Sequence, residues 1–267
     1  MTRQVIEGPL NGLSFVVDRT NHRGGPLVVF LHSAWGAFGE APLGDQVMST
    51  MDVATVHLPG WGLSKGVEHF DDISELALAL WWVIEYLSSE PVVLVGHCLG
   101  GALAVEMAIM QPSKVRGLTL SNPFGFFNTS YPGADIFGLL PKDMMHLVYV
   151  DPAGSIATTH HPPPNDAYER GLMALRRVEV LGAASRFMFP LPDTNIARRA
   201  YRLSHTPMTV LFGEKDGIVP SQLASEWAAS FPHAMIKTVA QTAHMTPYES
   251  GALGMAVSHL VVAATAS

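Results

Sequence analysis

The sequence predicts an α/β fold: a mostly parallel central sheet flanked by helices, with a helical insertion late in the chain. Three observations predict it. Short apolar, β-branched runs alternate with longer stretches of helical periodicity. The runs are apolar throughout, as in strands buried on both faces. The rhythm stops between 122 and 206, which marks the insertion.

Strands are expected at 13–17, as an edge strand, and then at 26–31, 53–57, 92–96, 115–120, 208–212 and 235–239. Asp72-Ile73-Ser74-Glu75 reads as a capping box. After it, Ile73, Leu76, Ala77, Leu80, Ile84 and Leu87 share one helical face that would pack on the sheet. Thr246-Pro247-Tyr248-Glu249 is a second start signal, with proline at the first helical position, so the last helix is expected to begin there. Within 122–206, Pro162-Pro163-Pro164 divides the segment and 167–187 has helical composition. The expected organisation is a core of residues 1–121 and 207–267, with 122–206 as a helical cap over a substrate site.

Composition narrows the function. The chain has 267 residues, 48% hydrophobic and 15% charged, which suits a packed core. Sixteen basic against twenty-three acidic residues give a charge of −7, and no block of five like charges occurs, which argues against a nucleic-acid partner. Cys98 is the single cysteine, so an intramolecular disulfide and a cysteine-cluster zinc site are both excluded. Residues 1–10 lack the apolar core of a secretory signal, and no apolar stretch reaches the roughly 20 residues of a membrane span. The expectation is a cytoplasmic protein with a small-molecule substrate and no membrane partner.

The strongest local signal runs from Val92 to Ala104. There a strand passes into a helix through Gly96-His97-Cys98-Leu99-Gly100, a nucleophile elbow with cysteine where serine is usual. The turn is tight enough that side chains two before and two after the nucleophile would strike neighbouring backbone, hence the glycines. The following helix aims its N-terminal amides at the site, favouring a thiolate and a developing oxyanion.

A nucleophile needs a base and an orienting acid. Gly213-Glu214-Lys215-Asp216 follows the strand at 208–212 and Ala243-His244 follows the one at 235–239, so both loops open on the sheet edge that carries the elbow. The order is nucleophile Cys98, acid Asp216, histidine His244, with Glu214 as the rival acid. The loop after the strand at 26–31, His32-Ser33-Ala34-Trp35-Gly36, would supply an oxyanion hole from the Ala34 amide together with that of Leu99. His32 is expected as a structural turn residue, since His244 already holds the base position.

With these motifs the sequence resembles the α/β-hydrolase superfamily over 26–121 and 208–267, with the cap position filled by 122–206. Members carry His-Gly-x-x-Gly, Asp-x-Pro-Gly-x-Gly-x-Ser, Gly-His-Ser-x-Gly-Gly, Gly-x-x-Asp and Gly-His in this order. Here Ser33 replaces a glycine, His57 an aspartate, Ala243 a glycine and Cys98 the serine. The resemblance implies a cofactor-free hydrolase. The absence of a carboxylate nucleophile argues against epoxide hydrolase and haloalkane dehalogenase chemistry. A cysteine suits esters, lactones and thioesters better than amides. Carbon–carbon hydrolysis, acyl transfer and a hydrolase-like ligand receptor are the alternatives. A native thiol enzyme and a serine enzyme altered at this position fit equally.

For the substrate, Trp35, Phe124 and Met145 are the candidate contacts. Trp61 follows another strand end, and Phe126, Phe127, Met144, Phe187 and Met188 could line an apolar pocket or form the core of the cap.

Overall fold

A computed structural model describes residues 1–22, 25–190 and 193–265. The sheet has eight strands: β1 Thr2–Glu7, β2 Ser14–Arg19, β3 Val28–Leu31, β4 Val53–His57, β5 Val92–His97, β6 Val115–Ser121, β7 Met208–Gly213 and β8 Met235–Val239. Their order is β1-β2-β4-β3-β5-β6-β7-β8. β1 and β2 pair antiparallel and β2 meets β4 antiparallel, while every pairing from β4 to β8 is parallel.

The continuous apolar strands follow from burial on both faces. Val29, Leu31 and Leu94 point into one cluster while Val28, Phe30, Val93 and Val95 point into another. The first cluster is closed by helices α2 Ile73–Leu87 and α3 Leu99–Met110, and the second by α1 Gly44–Thr50 together with the C-terminal helix. Asp72 caps α2, its carboxylate accepting from the Ser74 and Glu75 amides, while Glu75 reaches back to the Asp71 amide.

Between β6 and β7 lie α4 Pro141–Val148, α5 Ser155–His160, α6 Ala167–Met188 and a 3-10 segment, Ile196–Leu203. Arg199 in that segment pairs with buried Glu106 of α3 at 2.6 Å, and Arg186 of α6 donates to the Phe70 carbonyl at 3.1 Å, so the insertion is tied to the core from two sides. The chain ends with α7 Ala224–Ser230, α8 Thr246–Glu249 and α9 Ala252–Thr265. No helix of the described residues is long and apolar enough to cross a membrane.

Two expectations are corrected. The strand expected at 13–17 is not at the edge: Thr2–Glu7 pairs outside it, its mixed polarity being that of an exposed edge strand. The last helix does not begin at Thr246-Pro247. Those residues open the single turn α8, which ends at extended Ser250 before α9 starts at Ala252. Thr246 lies inside the turn, and its hydroxyl donates back to the Ala243 carbonyl at 2.7 Å instead of capping.

Candidate active site

The tip of β5 is the sharpest feature of the chain. Cys98 has φ +58° and ψ −116°, a conformation that non-glycine residues rarely hold. The neighbouring glycines permit it. A Cβ on Gly96 would lie 2.3 Å from the Gly100 carbonyl oxygen, and one on Gly100 would lie 2.1 Å from that of Leu31. The Gly100 amide donates to the His32 carbonyl at 3.0 Å, which fastens the start of α3 to the loop after β3.

That contact brings together the two expected oxyanion donors. Among the described residues, neither the Ala34 nor the Leu99 N–H has a hydrogen-bond acceptor. The loop is otherwise well tied. Trp61 Nε1 donates to the Ala34 carbonyl at 2.8 Å, and the Ser33 hydroxyl accepts from the Trp35 amide at 3.2 Å. His32 bridges strand ends, with Nδ1 donating to the Ser33 carbonyl at 2.7 Å and Nε2 accepting from the Leu58 amide at 3.0 Å. Burial pushes His32 down to about 3, so it is neutral and structural.

The loops after β7 and β8 meet beside Cys98. Asp216 Oδ2 accepts from His244 Nδ1 at 2.9 Å, with both side chains fully buried. The carboxylate is further held by the Ile218 and Val219 amides on Oδ1, at 2.7 and 2.9 Å, and by Asn122 Nδ2 on Oδ2 at 2.6 Å. The rival acid Glu214 lies elsewhere: it is exposed and accepts from the Gln241 amide. His97 Nε2 donates to the His244 carbonyl at 2.9 Å, fixing the histidine loop from the elbow side.

The bond to Asp216 sets the tautomer of His244 and leaves Nε2 facing away from the acid. Nε2 is buried and interacts electrostatically with Cys98, but the geometry falls short of a hydrogen bond. Burial alone would lower the His244 pKa. Its neighbours, Asp216 first and then Cys98, outweigh burial and push the imidazole up to about 10.

The expected substrate contacts divide. Trp35 lies edge-on to His244, ring centroids 5.2 Å apart, and Phe124 donates its amide to the Cys98 carbonyl at 3.2 Å. Met144, not Met145, contacts Trp35, its Sδ accepting from Nε1 at 3.0 Å; Met145 is partly buried against the core one position further round the helix. Trp61 is 2% exposed and packs beneath the Ala34 loop, to whose carbonyl its Nε1 donates. Phe187 and Met188 are buried in the core, and Phe126 packs on Trp227. Asn122 and His97 are the residues that sequence reasoning passed over. The available signal for Asn122 was a polar residue directly after an apolar parallel strand, at the edge where ligand sites form.

A mostly parallel sheet with a strained elbow after a central strand, and an Asp–His pair on later loops at the same edge, defines a hydrolase of the α/β class. Residues 28–255 match the model of the Alpha/beta hydrolase family, and the chain belongs to that family. The hydrolase YugF of Bacillus subtilis is 25% identical over 232 residues, covering 82% of each chain. The pimeloyl-[acyl-carrier protein] methyl ester esterase of Xanthomonas oryzae pv. oryzae is 26% identical over 255 residues, covering 85% of this chain and 90% of the relative. Among solved structures, a serine hydrolase from the polyaromatic hydrocarbon-degrading bacterium Cycloclasticus zankles shares the fold, with TM-score 0.71, 15% identity and 96% of both chains covered. A thermophilic esterase does likewise, with TM-score 0.72, 18% identity and 98% of both chains covered. The chain is an enzyme of this fold with hydrolase relatives, among them esterases.

Proposed function

We propose that the chain hydrolyses a carboxylic ester, lactone or thioester of a small, largely apolar substrate through an acyl-cysteine intermediate on Cys98, with 122–206 acting as a cap over the site. The observation that carries this reading is the Asp216–His244 bond beside a strained Cys98 whose flanking amides, Ala34 and Leu99, are free to donate. His244, oriented by Asp216, draws the proton from Cys98 onto Nε2 and so generates the thiolate.

The steps follow from these roles. The thiolate attacks the substrate carbonyl carbon, and the resulting oxyanion sits on the Ala34 and Leu99 amides. The tetrahedral intermediate collapses, and the leaving alkoxide takes the Nε2 proton of His244. Neutral His244 then removes a proton from water, the hydroxide attacks the thioester, and the acid departs as the sulfur recovers its charge. Asp216 stays ionised and orients the ring throughout. No step requires a cofactor, and a lone free cysteine suits the reducing cytoplasm.

Steady turnover of 4-nitrophenyl esters by the parent chain, lost in Cys98→Ala at unchanged circular dichroism, is the expected result. A parent chain that binds these esters without releasing 4-nitrophenol in successive turnovers would mark a ligand receptor instead.

A further inference from the structure

Met144 Sδ lies between two donors from distant parts of the chain. Trp35 Nε1–H, in the loop after β3, reaches it at 3.0 Å, and Arg177 Nη1–H, on α6, at 3.7 Å. A thioether is a weak acceptor. The only other acceptor for the Arg177 guanidinium among the described residues is the Leu139 carbonyl, at 2.5 Å, and Arg177 makes no ion pair among them. Two other arginines of the insertion have carboxylates in their surroundings. Arg176 borders an outer groove beside Glu169 and Glu179, and Arg199 pairs with Glu106. Arg177 is half-buried beside Met144, which is 5% exposed, so most of its donors face surroundings with no matching negative charge.

The donor pair also adjoins the reacting groups, since the Trp35 ring packs edge-on against His244. An oxyanion would satisfy both donors far better than sulfur does. The unbranched Met144 side chain, with three rotatable bonds, can swing aside to admit one.

We infer that Trp35 Nε1–H and the Arg177 guanidinium form an anion subsite, plugged in the free protein by the Met144 thioether, and that the substrate is an apolar ester carrying a carboxylate away from the scissile bond. The inference deepens the hydrolase reading of the same site and rests on it. It places a second recognition element, set by charge, between the loop after β3 and α6.

The test is calorimetric binding of glutarate and of its neutral diamide to the parent, Arg177→Met, Arg177→Lys and, as an outward-facing control, Arg176→Met. A charge-assisted contact predicts that the parent and Arg176→Met bind glutarate about 10- to 100-fold more tightly than the diamide. The preference should vanish in Arg177→Met and partly return in Arg177→Lys, with circular dichroism unchanged. Equal binding of the two probes by the parent, or a preference that survives in Arg177→Met, overturns the subsite. Because binding needs no turnover, the outcome is independent of whether Cys98 is acylated. In the turnover counterpart, mono-4-nitrophenyl glutarate is favoured over 4-nitrophenyl pentanoate by the parent, and the ratio falls in Arg177→Met.

Discussion

Asn122 and His244 donate to the same oxygen of Asp216, Oδ2, at 2.6 and 2.9 Å. The amide of Asn122 is itself oriented, its Oδ1 accepting from the Ser121 hydroxyl at 2.7 Å. Asn122 adopts φ +48°, a left-handed conformation that asparagine tolerates better than most residues, at the point where the chain leaves the sheet for the insertion. One residue thus turns the chain toward the insertion and holds the Asp216 carboxylate.

Asn122→Gly, which keeps the left-handed turn and removes only the side chain, should therefore lower kcat for a 4-nitrophenyl ester by about 10- to 100-fold, with KM changed little. The fold should hold, since Asp216 keeps the Ile218 and Val219 amides. Steady-state kinetics check this, and an unchanged kcat would reduce Asn122 to a turn residue.

The two carboxylates of the loop after β7 should behave differently. Asp216→Asn leaves the loop geometry but removes the charge that selects the His244 tautomer, and should cost about 10³- to 10⁴-fold in kcat. Glu214→Gln touches only the exposed contact with the Gln241 amide and should be mild. Loss of activity in the second variant and not the first would reverse the assignment.

Stability should fall on mild acidification. His32 and His97 are buried neutral, His32 at about 3 and His97 well below its ordinary value, both mainly through burial. In the unfolded chain each titrates near 6.5, so below that pH the unfolded state binds protons that the folded state refuses. Each group then costs up to about 1.4 kcal/mol per pH unit. His244 acts in the opposite sense: its raised pKa stabilises the fold fully below pH 6.5, a contribution lost as pH rises through about 10. Calorimetric melting should show Tm dropping between pH 6.5 and 5, above the range where carboxylates titrate. A flat Tm across that interval would contradict neutral burial of these histidines.

The parts of the fold that were legible in the sequence are those governed by local rules. Strands from Val53–His57 to Met208–Gly213 announce themselves as apolar runs because both faces of the sheet are covered there, whereas the edge strand Met235–Val239 is largely exposed. The elbow is legible because the Gly96 and Gly100 contacts admit no side chain. What escaped depends on contacts distant in sequence. The strand Thr2–Glu7 is exposed and mixed in polarity, so only its pairing with Ser14–Arg19 reveals it. Met144 rather than Met145 reaches Trp35 because the rotation of α4 against the core is set by tertiary packing, and Trp61 turns beneath the Ala34 loop to satisfy its indole N–H. Asn122 needed a partner 94 residues away to show its role.

The central claim is that Cys98 carries the acyl group. Intact-mass spectrometry within seconds of mixing with a 4-nitrophenyl ester, followed by peptide mapping, tests it directly. The parent chain should gain the mass of one acyl group, mapped to Cys98, and His244→Ala should form the adduct more slowly, while Cys98→Ala should gain nothing. An adduct of the same mass in Cys98→Ala, or ester turnover that persists in that variant, would contradict the account.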